Sequence, residues 1–79
     1  MKVQVLFFGV TADEVGSREV DFDLKEDSKA SDALAQIVNA FPRIEKHSLL
    51  FAVNQEYADG SETIRDGDEL AVFTAVSGG

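Results

Sequence analysis

The sequence predicts an α+β fold, a mixed sheet of about four to five strands crossed by one main helix. Three patterns carry that expectation. Two stretches near the N-terminus alternate apolar and polar residues, a central stretch repeats apolar residues at helical spacing, and two short apolar runs follow, with Asp-Gly pairs between them.

Val3, Val5 and Phe7 alternate with Gln4, Leu6 and Phe8, which suits a strand. Apolar residues fall on both of its faces near the end, so the strand is central or its second face meets something. Gly9 ends it. Asp13, Glu14, Gly16 and Ser17 read as a turn. Val20, Phe22 and Leu24 then alternate with Glu19, Asp21, Asp23 and Lys25, a half-buried strand that returns as the second arm of a hairpin. Leu34, Ile37, Val38 and Phe41 sit at i, i+3, i+4 and i+7, with Ala30 and Ala33 on the same side, which makes an amphipathic helix of about three turns. Ser28 or Ser31 is its N-cap. Glu26 and Asp27 lie where the positive end of the helix dipole favours anions, and Pro42 stops the helix. Residues 43–49 read as polar and irregular. Leu50, Phe51, Ala52 and Val53 make a buried strand. Asn54 to Ser61 is a loop or a brief hairpin holding the turn pair Asp59-Gly60, and Asp66-Gly67 marks a further tight turn. Leu70, Ala71, Val72 and Phe73 form the last strand. The order β-β-α-β-β, with the first hairpin beside the last strand and the helix across the concave face, is that of a β-grasp, ubiquitin-like fold. Residues 1–79 are expected to form one such domain, with residues 74–79 as its C-terminal tail.

Composition narrows the function. A chain of 79 residues buries only about 60–65% of the surface it exposes when unfolded, so one core fits and a deep enclosed active site does not. The 44% apolar content argues against disorder. The absence of cysteine rules out a disulfide framework, a thiolate nucleophile and cysteine-ligated metal. A net charge of −8 repels nucleic-acid backbones and anionic membrane faces. It keeps a small protein soluble, or steers it toward a basic groove on a partner. No apolar run approaches the ~18 residues of a membrane span. The opening MKVQVLFFGV reads as a strand and not a signal peptide, so the cytoplasm is the expected location.

The usual catalytic sets are missing. His47 lies among Arg43, Glu45, Lys46 and Ser48 and reads as a surface or structural residue. The carboxylates are scattered, and no metalloprotease, P-loop, hydrolase or calcium-loop motif is present. Asp66, Asp68 and Glu69 offer too few oxygens for calcium, which takes about six to eight, and no metal site is expected. The informative feature is Gly78-Gly79. It reads either as a frayed terminus or as a working group. Glycine has no Cβ, so such an end fits a narrow tunnel. A carboxylate is a poor electrophile, but joining it to AMP supplies a leaving group that a sulfur or amine nucleophile can displace. Nothing else in the sequence can perform that activation, so the chain is expected to be a carrier acted on by others, with no catalytic residues of its own. If Val3, Val5 and Phe7 face the helix, Leu6 and Phe8 face out. If Leu70 and Val72 face the helix, Phe73 faces out, and Tyr57 joins them from the adjoining loop. Exposed aromatics beside a working terminus suit a partner's docking site.

These residues resemble a known family. VLFFGV at 5–10, FAVNQEYA at 51–58 and DGDELAVF at 66–73 with the closing VSGG are similar to the small subunit of molybdopterin synthase, over essentially the whole chain. The resemblance implies a β-grasp sulfur carrier. Its terminal glycine, here Gly79, is adenylated by an E1-like enzyme that uses ATP, converted to a thiocarboxylate with sulfur from a separate donor, and inserted into the large subunit. There the sulfur passes to a pterin precursor, giving the dithiolene that binds molybdenum or tungsten. The resemblance places Val76, Ser77 and Gly78 in the partner's channel and Phe8, Tyr57 and Phe73 at apolar contacts. It implies a heterotetramer of two large and two small subunits, with no resident cofactor. Thr74-Ala75 stand where members often carry Pro-Pro, and Thr11-Ala12-Asp13-Glu14 lack a basic residue often found there. Rival readings are the thiamine-pathway sulfur carrier, which shares the fold and the Gly-Gly end, a ubiquitin-like modifier joined to lysines through Gly79, and a β-grasp interaction module with an idle tail.

Overall fold

Period-two alternation becomes strand and period-3.6 spacing becomes helix in the computed structural model, which describes residues 1–75. In chain order the elements are β1 (Lys2–Phe7), α1 (Val10–Val15), β2 (Glu19–Asp23), α2 (Ala30–Ala40), a 3-10 turn (Pro42–Ile44), β3 (Leu49–Val53), β4 (Glu56–Tyr57) and β5 (Glu69–Thr74). The five strands form one mixed sheet in the order β2-β1-β5-β3-β4. β1 and β5 run parallel at the centre, with Val5 beside Leu70 and Phe7 beside Val72, and the other pairings are antiparallel. This is the expected β-grasp arrangement, with α2 across one face.

The core lies between that face and α2. Val3, Val5, Phe7, Phe51, Leu70 and Val72 point inward from the strands, and Ala30, Ala33 and Ile37 point down from the helix. Phe7 meets Phe41 edge-on at 5.5 Å between ring centroids, a geometry worth about 0.5–1.5 kcal/mol beyond area burial. Ile44 and Ile64 also belong to this core and are fully buried or nearly so.

Four expectations need correction. The segment read as a turn at Asp13 to Ser17 is mostly the short helix α1, so the two arms of the first hairpin are joined by a helix. Gly9, at φ 58°, turns the chain into α1, and Gly16, at φ 83°, ends it in the left-handed conformation open to glycine. Ala12 and Val15 pack against the core and outweigh the polar Asp13 and Glu14. Neither Ser28 nor Ser31 is the N-cap of α2. That place is taken by Lys29, whose backbone N–H donates to Oδ2 of Asp32 at 3.0 Å. Ser28 is buried instead, donating to the Lys25 carbonyl at 2.7 Å and accepting from Gln36 Nε2 at 2.9 Å. Residues 43–49 begin inside the 3-10 turn and anchor it through Ile44. Finally, β3 is not buried throughout: Phe51 enters the core and Ala52 is covered on the opposite face, whereas Leu50, next to Ala52 on that face, is 38% exposed.

Pro42 ends α2 as expected, by opening the 3-10 turn. Asn54 and Gln55, both at positive φ, form the two-residue loop of the β3–β4 hairpin. Asp66 and Asp68 serve the turn before β5: Asp66 Oδ1 accepts from the Lys2 N–H at 2.7 Å and Asp68 Oδ2 from the Arg65 N–H at 2.8 Å. Among the described residues no helix is long and apolar enough to cross a membrane. Replacing Ile37 by Ala should remove about 2–5 kcal/mol of stability, read as a lower urea midpoint with an unchanged slope. Asp32→Ala should cost only about 1 kcal/mol, the usual loss for one capping contact.

Candidate functional site

Alternation along paired strands leaves the face of the sheet opposite α2 carrying its own set of side chains. Leu6 on β1 pairs with Ala71 on β5, Ala71 with Ala52 on β3, and Ala52 with Tyr57 on β4, so one apolar row crosses from β1 to β4. The next row toward the end of β5 holds Phe73 opposite Leu50, with Phe8 just past the end of β1. The two alanines keep the middle low while larger side chains stand around them. Phe8 is 52% exposed and Tyr57 77%. The Tyr57 and Phe73 rings lie 5.7 Å apart at a tilt of 60°. Phe8, Gly9, Phe73 and Thr74 line an open, mostly apolar cleft of about 450 Å³. The three aromatics singled out in the sequence therefore share one face. Leu50, Leu6 and the alanine pair complete it. Sequence reading missed Leu50, whose alternation within LLFAV was the available signal.

Backbone geometry fixes the end of this face. Gly9 has φ 58° and ψ −130°, a combination that side chains make costly, and it turns the chain sharply after Phe8. Thr11 lies fully buried behind it. Its Oγ1 lies 2.7 Å from the Phe8 carbonyl oxygen and 2.9 Å from that of Val72, and it accepts from the Phe8 N–H at 3.1 Å. The Phe8 N–H also donates to the Val72 carbonyl at 3.2 Å. On the other flank of β5, the Ala75 N–H donates to the Ser48 carbonyl at 3.4 Å.

A charged cluster sits close by. The Lys46 ammonium is 2.8 Å from Glu14 Oε2 and His47 Nε2 is 3.5 Å from the same oxygen. The Lys46 ammonium beside it holds the Glu14 carboxyl below the ordinary glutamate range, with His47 adding to the effect. His47 is thus half-buried against α1 and is less solvated than its polar neighbours in sequence suggest. The cluster clips α1 to the segment that leads into β3. Among the described residues no group of His, Cys, Asp and Glu is arranged to hold a metal ion. Val76, Ser77, Gly78 and Gly79, expected to thread a partner and to carry the acyl end, lie outside the described residues.

Comparison with known proteins covers the whole chain. The ThiS family model matches residues 5–79. The molybdopterin synthase sulfur carrier subunit of Chlamydomonas reinhardtii is 36% identical over 83 residues, covering 100% of both chains. The crystal structure of SAMP1 from Haloferax volcanii superposes with a TM-score of 0.87 at 32% identity, again covering 100% of both chains. A protein-protein complex of subunits 1 and 2 of the molybdopterin-converting factor from Helicobacter pylori matches at a TM-score of 0.70 and 21% identity, covering 100% of each chain, which speaks to the fold alone.

Two outcomes test this geometry. Gly9→Ala has open space for its Cβ, so its cost is backbone strain alone, about 1–3 kcal/mol, read by thermal or urea unfolding. Because the Glu14 carboxyl titrates below its ordinary value, the clip is intact at neutral pH and is lost as pH falls through the carboxylate range. Amide exchange within α1, corrected for the intrinsic pH dependence, should show protection falling over that acid range, and Glu14→Gln should flatten the change.

Proposed function

The chain belongs to the ThiS family, and we propose that it works as a sulfur carrier, the small subunit of a molybdopterin synthase. The observation that carries this reading is the placement of the apolar face. Phe8, Phe73 and Tyr57 surround the end of β5, the strand that leads directly into Val76-Ser77-Gly78-Gly79. A partner that covers this face receives whatever the terminal glycine carries. The end-to-end match to a molybdopterin synthase sulfur carrier subunit supports the same assignment.

In this reading the chemistry belongs to partners. An E1-like enzyme uses ATP to join the Gly79 carboxylate to AMP, releasing pyrophosphate. A sulfur nucleophile from a donor then attacks the acyl carbon, its electron pair forms the C–S bond, and AMP leaves with the C–O electrons. The resulting thiocarboxylate enters the large synthase subunit. Gly78 and Gly79 pass where a Cβ would clash, and Ser77 and Val76 follow them into the partner's channel. Phe8, Phe73 and Tyr57 supply the buried anchors. The sulfur passes to a pterin precursor as half of the dithiolene that later binds the metal. The assembly is a heterotetramer of two large and two small subunits, formed in the cytoplasm. The chain holds no resident cofactor, and residues 1–79 act as one carrier domain.

Incubation with the activating enzyme, ATP and a sulfur donor should add about 16 Da to the intact mass, the difference between sulfur and oxygen, with the gain on Gly79. Deleting Gly79 should abolish it. No gain under conditions that charge a known carrier would contradict the reading, and Gly79-to-lysine isopeptide bonds without thiocarboxylate would favour a protein modifier. Phe73→Ala should weaken the large-subunit complex by about 1–3 kcal/mol while the isolated chain stays folded. Calorimetric titration checks this, and unchanged affinity would remove Phe73 from the interface.

A further inference from the structure

We propose that Thr11 is the positioning residue of the docking face, its buried hydroxyl fixing the stance of Phe8 by locking the end of β1 to β5. The inference rests on the docking role of Phe8 proposed above. Phe8 is 52% exposed, so packing alone leaves half of its ring unsupported and the backbone contributes strongly to its direction. That backbone is tied almost entirely to two residues. Its N–H donates to Thr11 Oγ1 and to the Val72 carbonyl, and its carbonyl accepts from the Thr11 hydroxyl and from the Thr11 N–H at 3.3 Å.

The hydroxyl requires explanation because shape alone does not demand it. A threonine with 0% exposure carries a polar group into the core, and a valine would fill the same volume. A buried hydroxyl is costly unless it is bonded. A hydroxyl has one proton and two acceptor lone pairs. Thr11 therefore donates to one carbonyl at a time, with Phe8 and Val72 both in reach, while it accepts from Phe8. One carbonyl belongs to the residue that docks. The other belongs to the residue before Phe73. The same side chain thus sets the distance between the two aromatic anchors across the β1–β5 pair. It does not act as the cap of α1, because the N-cap is Gly9 and no side-chain bond caps that end. Three residues after Thr11, the clip from Glu14 to Lys46 holds the far turn of α1 and leaves Thr11 as the near anchor.

The test is a double-mutant cycle read by large-subunit affinity, with Phe8 amide exchange as the structural readout. An osmolyte that favours burial keeps the variants folded, and Thr11→Ala accompanies Thr11→Val as a second hydroxyl deletion. Thr11→Val and Thr11→Ala should each weaken binding by about tenfold with faster Phe8 exchange, while Thr11→Ser, which keeps the hydroxyl, should bind within about twofold of the unaltered chain. Placed on Phe8→Ala, Thr11→Val should add less than about twofold, because the two act through one contact. The proposal is overturned if Phe8→Ala weakens binding and the hydroxyl deletions do not, or if Thr11→Val costs as much with Phe8 absent as with it present. If Phe8→Ala itself binds as the unaltered chain does, the docking reading of Phe8 falls and takes this inference with it, an outcome distinct from the first two.

Discussion

The parallel pairing of β1 with β5 is the constraint on which the rest depends. It joins the first strand of the chain to the last, so the C-terminal ends of both emerge at the same edge of the sheet. Phe8 follows one and the tail follows the other. An antiparallel pairing of the same strands would have put Phe8 at the opposite end from Thr74 and Ala75. Parallel neighbours need a long crossover, and nearly the whole chain, including α2 and the β3–β4 hairpin, serves as that crossover. The core of Val5, Phe7, Leu70 and Val72 is therefore both the centre of stability and the device that aligns a docking surface with a tail. Damage to it would be felt at the functional end even where the fold survives.

The two faces of the sheet divide the work. One is spent on α2 and the core. The other carries apolar residues at the tail end, while exposed acids stand along β2, where Glu19, Asp21 and Asp23 alternate on the edge strand. Charged edge residues discourage pairing with another chain, and a net charge of −8 adds repulsion between like copies. The same repulsion leaves the patch free for a partner whose surface is complementary. In the proposed role the body aims and anchors, and reactivity comes from enzymes that handle the end.

Much of this was legible in the sequence, for reasons that differ by element. β2 and α2 each bury one face, so their periodicity is clean, and β1 alternates from Lys2 to Val5 before Leu6 and Phe8 add apolar residues to its outer face. Phe8, Phe73 and Tyr57 were placed together from alternation plus an assumed β1–β5 neighbourhood, which the register bears out. The helix α1 was not legible. Six residues are too few for a periodic signal, and Asp13 and Glu14 favour a turn until Ala12 and Val15 find a core to pack on. The N-cap of α2 was misplaced because Ser28 satisfies its hydroxyl through Lys25 and Gln36, contacts that exist only after folding. His47 looked solvated because its partner, Glu14, is distant in sequence. The role of the Thr11 hydroxyl was hidden for the same reason, since Val72 is brought to it only by the sheet.

The central claim is that the terminal glycine delivers sulfur once the apolar face is seated. The most direct measurement starts from the thiocarboxylated chain, mixed with the large subunit and a sulfur-free pterin precursor, and follows carrier and pterin masses together. The account predicts that the carrier loses about 16 Da in step with the appearance of sulfur on the pterin, as acyl transfer to water requires. A carrier that keeps its sulfur in a fully formed complex, with the precursor unchanged, would contradict it.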